Sequence, residues 1–362
     1  MPSKPVQPFL RGSAVPTAAA ILAGLAMLAA PTAFAQHAPA AGPQSARGSS
    51  ASPGGARMIV VAGQGAAGFA DGVGAEARFN KPIRLAPLGP DAVLVSDIFN
   101  HAIRIVSNDG RVRTLAGAPD RKGHEDGPAS SARFASPHGV GVAADGRIAV
   151  AEAEGHTLRL VTRAADGSYV VSTIAGTPGK SGAADGPAAA GQFNSPHAAL
   201  WAEDGSLFAP DIGNATIRRV KDGQVTTVAG GGEDKLVYPM DIAWLKDGRL
   251  IIADAGANLL RTWKPGEKLG TLTVQGTLST PHGVASGPDG TVYVADMKSH
   301  RVLAIDAAGV VTTVAGIEGE AGGDAVHLNR PAAVLAHAGW LWIADLDNHR
   351  ICAVPLSQAH AR

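Results

Sequence analysis

The sequence predicts an all-β fold: a six-bladed β-propeller in which an N-terminal strand closes the last blade. Three observations carry that prediction. A hairpin is copied six times at nearly constant spacing. The chain is rich in glycine (46 residues) and poor in aromatics (4%), as a turn-rich β protein requires. One strand is missing from the end of the repeat array and present at its start.

Each repeat begins at a proline: Pro82, Pro137, Pro196, Pro239, Pro281 and Pro331. An apolar strand follows, then a turn that is Asp-Gly in four repeats (Asp145, Asp204, Asp247 and Asp289). A second apolar strand ends in an acid: Asp97, Glu152, Asp211, Asp254, Asp296 or Asp345. The residue after the proline precedes this acid by 14 positions in five repeats and by 13 in the sixth. A third strand carries motifs such as Asn100-His101-Ala102-Ile103-Arg104 and Asn348-His349-Arg350-Ile351. A fourth ends in sequences such as Thr114-Leu115-Ala116-Gly117 and Thr313-Val314-Ala315-Gly316, with Thr273-Val274-Gln275-Gly276 as its counterpart in the fourth repeat. Four short antiparallel strands repeated radially make a propeller.

The Asp-x-x-Asn-His-Arg-Ile pattern at 345–351 resembles the NHL repeat, and the Thr-Leu-Ala-Gly endings resemble its secreted bacterial members. The likeness spans residues 58–356 and implies fold more than function. The sixth repeat stops after its third strand, at Val354-Pro355-Leu356. Met58-Ile59-Val60-Val61-Ala62-Gly63 aligns with the fourth strands, so it is expected to pair with 350–355 and remove two open strand edges. Residues 357–362 are left as a C-terminal tail.

Upstream, Lys4 and Arg11 precede an Ala-rich apolar run at 14–30, and Ala33-Phe34-Ala35 fits a small-x-small cleavage site. A signal peptide is expected over 1–35, with a periplasmic or secreted product and no membrane span after cleavage. Residues 36–57 are dominated by Ala, Pro, Gly and Ser and read as a disordered linker. Cleavage leaves 29 basic and 31 acidic residues, so nothing suggests a phosphate-binding surface and nucleic acid is not an expected partner. Cys352 is the only cysteine, which excludes an internal disulfide and a zinc–thiolate cluster; it is expected to be buried in a strand. A monomer is expected.

The first strands converge on the axis, so the residues after the prolines surround one mouth of the channel, here called the top. They are Ile83, His138, His197, Met240, His282 and Ala332. Three histidines with a fourth position open describe a catalytic zinc site, and zinc or another divalent ion is the expected cofactor. The opposing expectation is that each histidine bonds to nearby backbone. One position further on, Arg84 and Asp241 break a row of small residues on opposite blades. They either meet a ligand or pair with each other across the mouth. Tyr238 adds a phenol to the same rim. The recurring acids suit the holding of backbone amides, because a residue repeated in every blade is not a singular catalytic group. His101, His156, His300 and His349 belong to the repeat signature and are expected to cap a loop. The Asp-Gly pairs at 71, 126 and 185 read as turns and lack calcium-ligand spacing.

Two function classes remain open. One is a scaffold that binds a small molecule, peptide, glycan or protein on the top face, with Asp241 and Met240 among the contacts. The other is a zinc-dependent lyase or hydrolase. The mouth resembles that of peptidyl-hydroxyglycine amidating lyase, and the resemblance implies zinc held by His138, His197 and His282, with Tyr238 as acid/base and Arg84 as anion clamp.

Overall fold

The structure, a computed structural model, describes residues 42–43, 50–51, 57–232 and 234–359. The expected export signal lies outside the described residues, as does most of 36–57. Six antiparallel sheets follow one another along the chain. The first holds Pro82–Leu88, Ala92–Asp97, Ala102–Ser107 and Arg111–Gly117, and the later blades repeat that order. In the sixth, Arg57–Ala62 lies beside Arg350–Pro355, with Ile59 opposite Ala353 and Val60 opposite Cys352. The N-terminal strand therefore closes the last blade as expected. Ser50–Ala51 adds a short outer strand against Arg57 and Met58. One helical turn, Leu356–Ala359, follows the last strand, with Leu356 and Ala359 buried. Among the described residues no helix is long and apolar enough to cross a membrane.

The core is six apolar layers, each between two neighbouring blades. Period-two alternation explains them, because successive side chains of one strand face opposite neighbours. In the closing strand Met58 packs on the fifth-blade side, while Ile59 and Val61 pack on the first-blade side. Cys352 is buried in the same blade, and burial pushes its thiol up to about 12.

Two strands differ from expectation. In the third blade the first-strand ladder is reduced to Leu200–Trp201. Pro210 occupies the facing strand and has no N–H to donate, so His197 N–H reaches the Pro210 carbonyl but no bond returns. In the fourth blade the outer strand is Gly270–Thr271, opposite Arg261 and Thr262, rather than 273–276. A tight turn, with Glu267 N–H donating to the Lys264 carbonyl, brings the chain back into register early.

The repeated acids hold the blades together in the way the sequence suggested. Each accepts a backbone N–H ahead of its own proline: Asn80 to Asp97 at 2.7 Å, Ala135 to Glu152 at 2.7 Å and Asn329 to Asp345 at 2.7 Å. In blades one to three the acid also pairs with a fully buried arginine, as Arg104, Arg159 and Arg218 do with Asp97, Glu152 and Asp211. The other guanidinium nitrogen reaches Asp71, Asp126 or Asp185. Those aspartates also accept the backbone N–H of Thr114, Thr173 and Thr227. They are thus ion-paired staples as well as turns. Of the signature histidines, His156, His300 and His349 sit in the left-handed region and accept N–H groups of Ser195, Arg330 and Lys81 in the next blade. They clip blades together as well as ending their own loops.

Candidate functional site in the central channel

Two consecutive residues of each first strand reach the axis because a bulge follows the proline. Pro82 pairs with Asp97 and Arg84 with Ser96, which leaves Ile83 unpaired; the same shift occurs at His138, Met240, His282 and Ala332. A bulge re-aims side chains in this way. The strands crowd there. A Cβ on Gly139 would lie 2.5 Å from Ala198 Cα, and one on Gly283 would lie 2.7 Å from Ala333 Cα.

The three histidines meet. The His138 and His197 rings stack with centroids 3.7 Å apart, and His138 and His282, from opposite blades, lie 6.1 Å apart. Nδ1 of His138 is 3.0 Å from the His197 carbonyl, and Nδ1 of His282 is 2.7 Å from the Ala332 carbonyl. A carbonyl only accepts, so both rings carry their proton on Nδ1 and leave Nε2 with a lone pair. His197 Nε2 is 3.1 Å from Ser195 Oγ. Burial first, then the positive charge of neighbouring groups including Arg84, holds His138 and His197 well below the usual imidazole range. Burial and Arg84 bring His282 down to about 3. All three are therefore neutral at pH 7. The rings stack face to face instead of converging on one point. Among the described residues no group of three His, Cys, Asp or Glu side chains is arranged to hold a metal ion.

One layer below, Arg84 and Asp241 join across the axis, with Nη1 2.5 Å from Oδ2 and both side chains buried. Arg84 Nη2 donates to the Met240 carbonyl at 3.0 Å. Asp241 also accepts the N–H groups of Ile242 (2.9 Å) and Val284 (3.0 Å). Burial pushes the Asp241 carboxyl up and the Arg84 guanidinium down, each opposed by the other's charge. Of the two expectations for these residues, the structure has the mutual pair. Met240 packs its side chain on Ile212 and Ala255, and Tyr238 stands half-exposed on the top rim.

Beyond the pair, a cavity of about 310 Å³ continues toward the opposite face, where the first strands end. Arg84 and Asp241 lie at one end; Trp201, Trp244, Ser286 and Ala336 lie at the other, with aliphatic side chains between. Sequence reasoning found the two charged residues and missed this cavity. The only signal for it was the small and aliphatic run after each proline.

This architecture defines a class: a six-bladed β-propeller. Residues 278–305 match the model of the NHL repeat. Comparison with curated proteins gives no match. Solved structures share the fold at low identity. A structural-genomics protein of unknown function from Bacteroides thetaiotaomicron is 19% identical, with a TM-score of 0.62 over 82% of this chain and 75% of that one. An auxiliary nutrient binding protein from the same organism is 14% identical, with a TM-score of 0.60 over 82% of this chain and 75% of that one. A gluconolactonase from Xanthomonas campestris is 16% identical, with a TM-score of 0.57 over 84% of this chain and 91% of that one.

Proposed function

We propose that this propeller is an exported binding protein that takes a small molecule into its central channel, in the cavity between the Arg84–Asp241 pair and the Trp201–Trp244 end. The observation that carries this reading is the cavity itself. It is concave and mainly apolar, has a few polar groups toward its two ends, and its volume stands at the lower end of the roughly 300–1,000 Å³ usual for small-molecule sites. The nutrient-binding neighbour, similar in fold, supports binding as the role of the propeller. The test is a thermal-shift screen of the purified protein against small apolar molecules, with Ser286→Phe and Ala336→Trp as cavity-filling controls. A ligand at 100 times its Kd stabilises by about 2.7 kcal/mol. The reading expects that shift in the parent and its loss in both controls; equal shifts in all three proteins would refute it. Export rests on the N-terminal sequence, and the mass of the protein recovered from the periplasm or medium tests it: cleavage after Ala35 is expected.

A second reading, a zinc-dependent lyase or hydrolase at the top, is favoured by one observation. Three neutral imidazoles meet at the axis, and two have Nε2 lone pairs available. It requires the rings to turn out of their stack. Metal analysis of parent, His197→Ala and His349→Ala proteins decides it. Zinc lost only with His197→Ala supports a site at the axis, and a zinc-free parent after supplementation refutes it.

A further inference from the structure

The cavity has an exit, and the exit carries a charge. Toward the face where the first strands end, Trp244, Ser286 and Ala336 line both the cavity and a groove of about 500 Å³ between the turns of the last three blades. The groove therefore continues the cavity outward, over Leu245, Pro288 and Leu356, and is mainly apolar. Lys246 and His337 are the titratable side chains on its lining. His337 turns Nε2 to the Gly89 carbonyl at 2.7 Å. Lys246 is exposed and, among the described residues, has neither an ion pair nor a hydrogen bond. Its stem lies along the turn of the next blade, where a Cβ on Gly290 would stand 3.9 Å from Lys246 Cδ. The acids of the surrounding turns are engaged by other groups: Asp247 by Arg249, Asp289 by Thr291, and Asp306 by the N–H groups of Ala308 and Val310.

The two compartments ask for different chemistry. The inner one is walled by aliphatic side chains and closed by the Arg84–Asp241 pair, which is neutral as a unit. A charge carried that deep would lose its water without repayment. The outer one is open to solvent, so a charged head stays hydrated there while its tail goes inward. At the junction the half-buried Ser286 hydroxyl can donate to an anionic oxygen. An ammonium head would meet Lys246 and no acid on the lining. Lys246 lies five positions beyond Asp241, so head and tail end stand roughly 15 Å apart along the channel.

We infer that the ligand is a single-chain amphiphile with an anionic head, whose tail fills the cavity and whose head lies in the groove beside Lys246. This rests on the cavity reading above and adds the chemistry of the ligand to it.

Three probes with one tail test it on the full chain by isothermal titration calorimetry at pH 7: decanoate, decylammonium and 1-decanol. The tail should set most of the affinity, since each buried methylene is worth about fourfold. Hexanoate is accordingly expected to bind at least tenfold more weakly than decanoate, and Ser286→Phe to abolish binding of all the probes. An exposed charge pair is worth up to about fivefold, and a like-charge contact costs as much. Decanoate is therefore expected to bind about tenfold more tightly than decylammonium. Lys246→Glu should reverse that order and leave 1-decanol unchanged. The exposed position keeps the fold intact in this variant, which a melting temperature equal to the parent's verifies. Equal binding of the two ions to the parent, or an order that Lys246→Glu does not alter, overturns the inference. If the ions bind equally and Ser286→Phe blocks both, the cavity reading stands and the anionic head falls. If no probe binds the parent, both fall.

Discussion

Replacing Arg84 with methionine isolates the energetics of the pair that divides the channel. The substitution keeps most of the volume and removes the charge. Asp241 is then left buried, accepting the two backbone N–H groups of Ile242 and Val284. Removing one partner of a buried ion pair costs about 3–5 kcal/mol, because the remaining charge is uncompensated. At roughly 2 °C per kcal/mol for a domain of this size, the melting temperature should fall by about 6–10 °C at pH 7. Replacing both residues, as Arg84→Met/Asp241→Leu, removes the stranded charge and should restore most of the loss. The pH dependence has a definite sign. Burial already pushes the Asp241 carboxyl up, and losing Arg84 removes the opposing influence. A carboxyl whose folded pKa exceeds its unfolded value binds more protons in the native state. Its contribution is fully present below the unfolded pKa and is lost as pH rises through the folded one. The deficit of Arg84→Met should therefore shrink between pH 7 and pH 5. Thermal melts of parent, single and double variants at both pH values check this. A single variant as stable as the parent, or a double variant no better than the single, would refute the reasoning.

Three further outcomes are expected. Deleting residues 58–62 removes buried Met58, Ile59 and Val61, each worth roughly 1.5–3 kcal/mol of burial, and opens two strand edges; a truncated protein that melts like the parent would contradict closure. Arg159→Met should destabilise by about 3–5 kcal/mol in denaturant titrations, because Glu152 is fully buried and loses its counter-charge, whereas Arg249→Met, at a solvent-facing pair with Asp247, should change stability by less than about 1 kcal/mol. The channel histidines have folded pKa values below their unfolded ones, so their contribution is present above about pH 6.5 and is lost as pH falls toward the value of about 3 for His282. Imidazole NMR signals of His138 and His282 that titrate near 6.5 would contradict their burial.

Much of this was legible in the residues. Constant spacing from proline to acid gave the blades, and the surplus strand at 58–62 gave the ring closure, because both are one-dimensional signals. The slot arithmetic also found the residues that meet at the axis, including the Arg84–Asp241 pair. The bulge that turns two consecutive residues inward was not legible, since it depends on the register of the facing strand. Nor was the burial of Arg104, Arg159 and Arg218. An arginine in a strand reads as solvent-facing until Asp71, Asp126 and Asp185 are brought against it from more than 30 residues away. Pro210 was visible but its effect was not, because a missing N–H matters only where a partner carbonyl faces it. The cavity is the sum of many small side chains over six strands, and no single position announces it.

A crystal of the full-length protein soaked with a small apolar molecule that raises its melting temperature gives the most direct reading of where this propeller binds. Binding in the cavity predicts difference density beside Val142, Leu200 and Ile242. Density on the other side of the Arg84–Asp241 pair, against the His138–His197 stack and Tyr238, would contradict it.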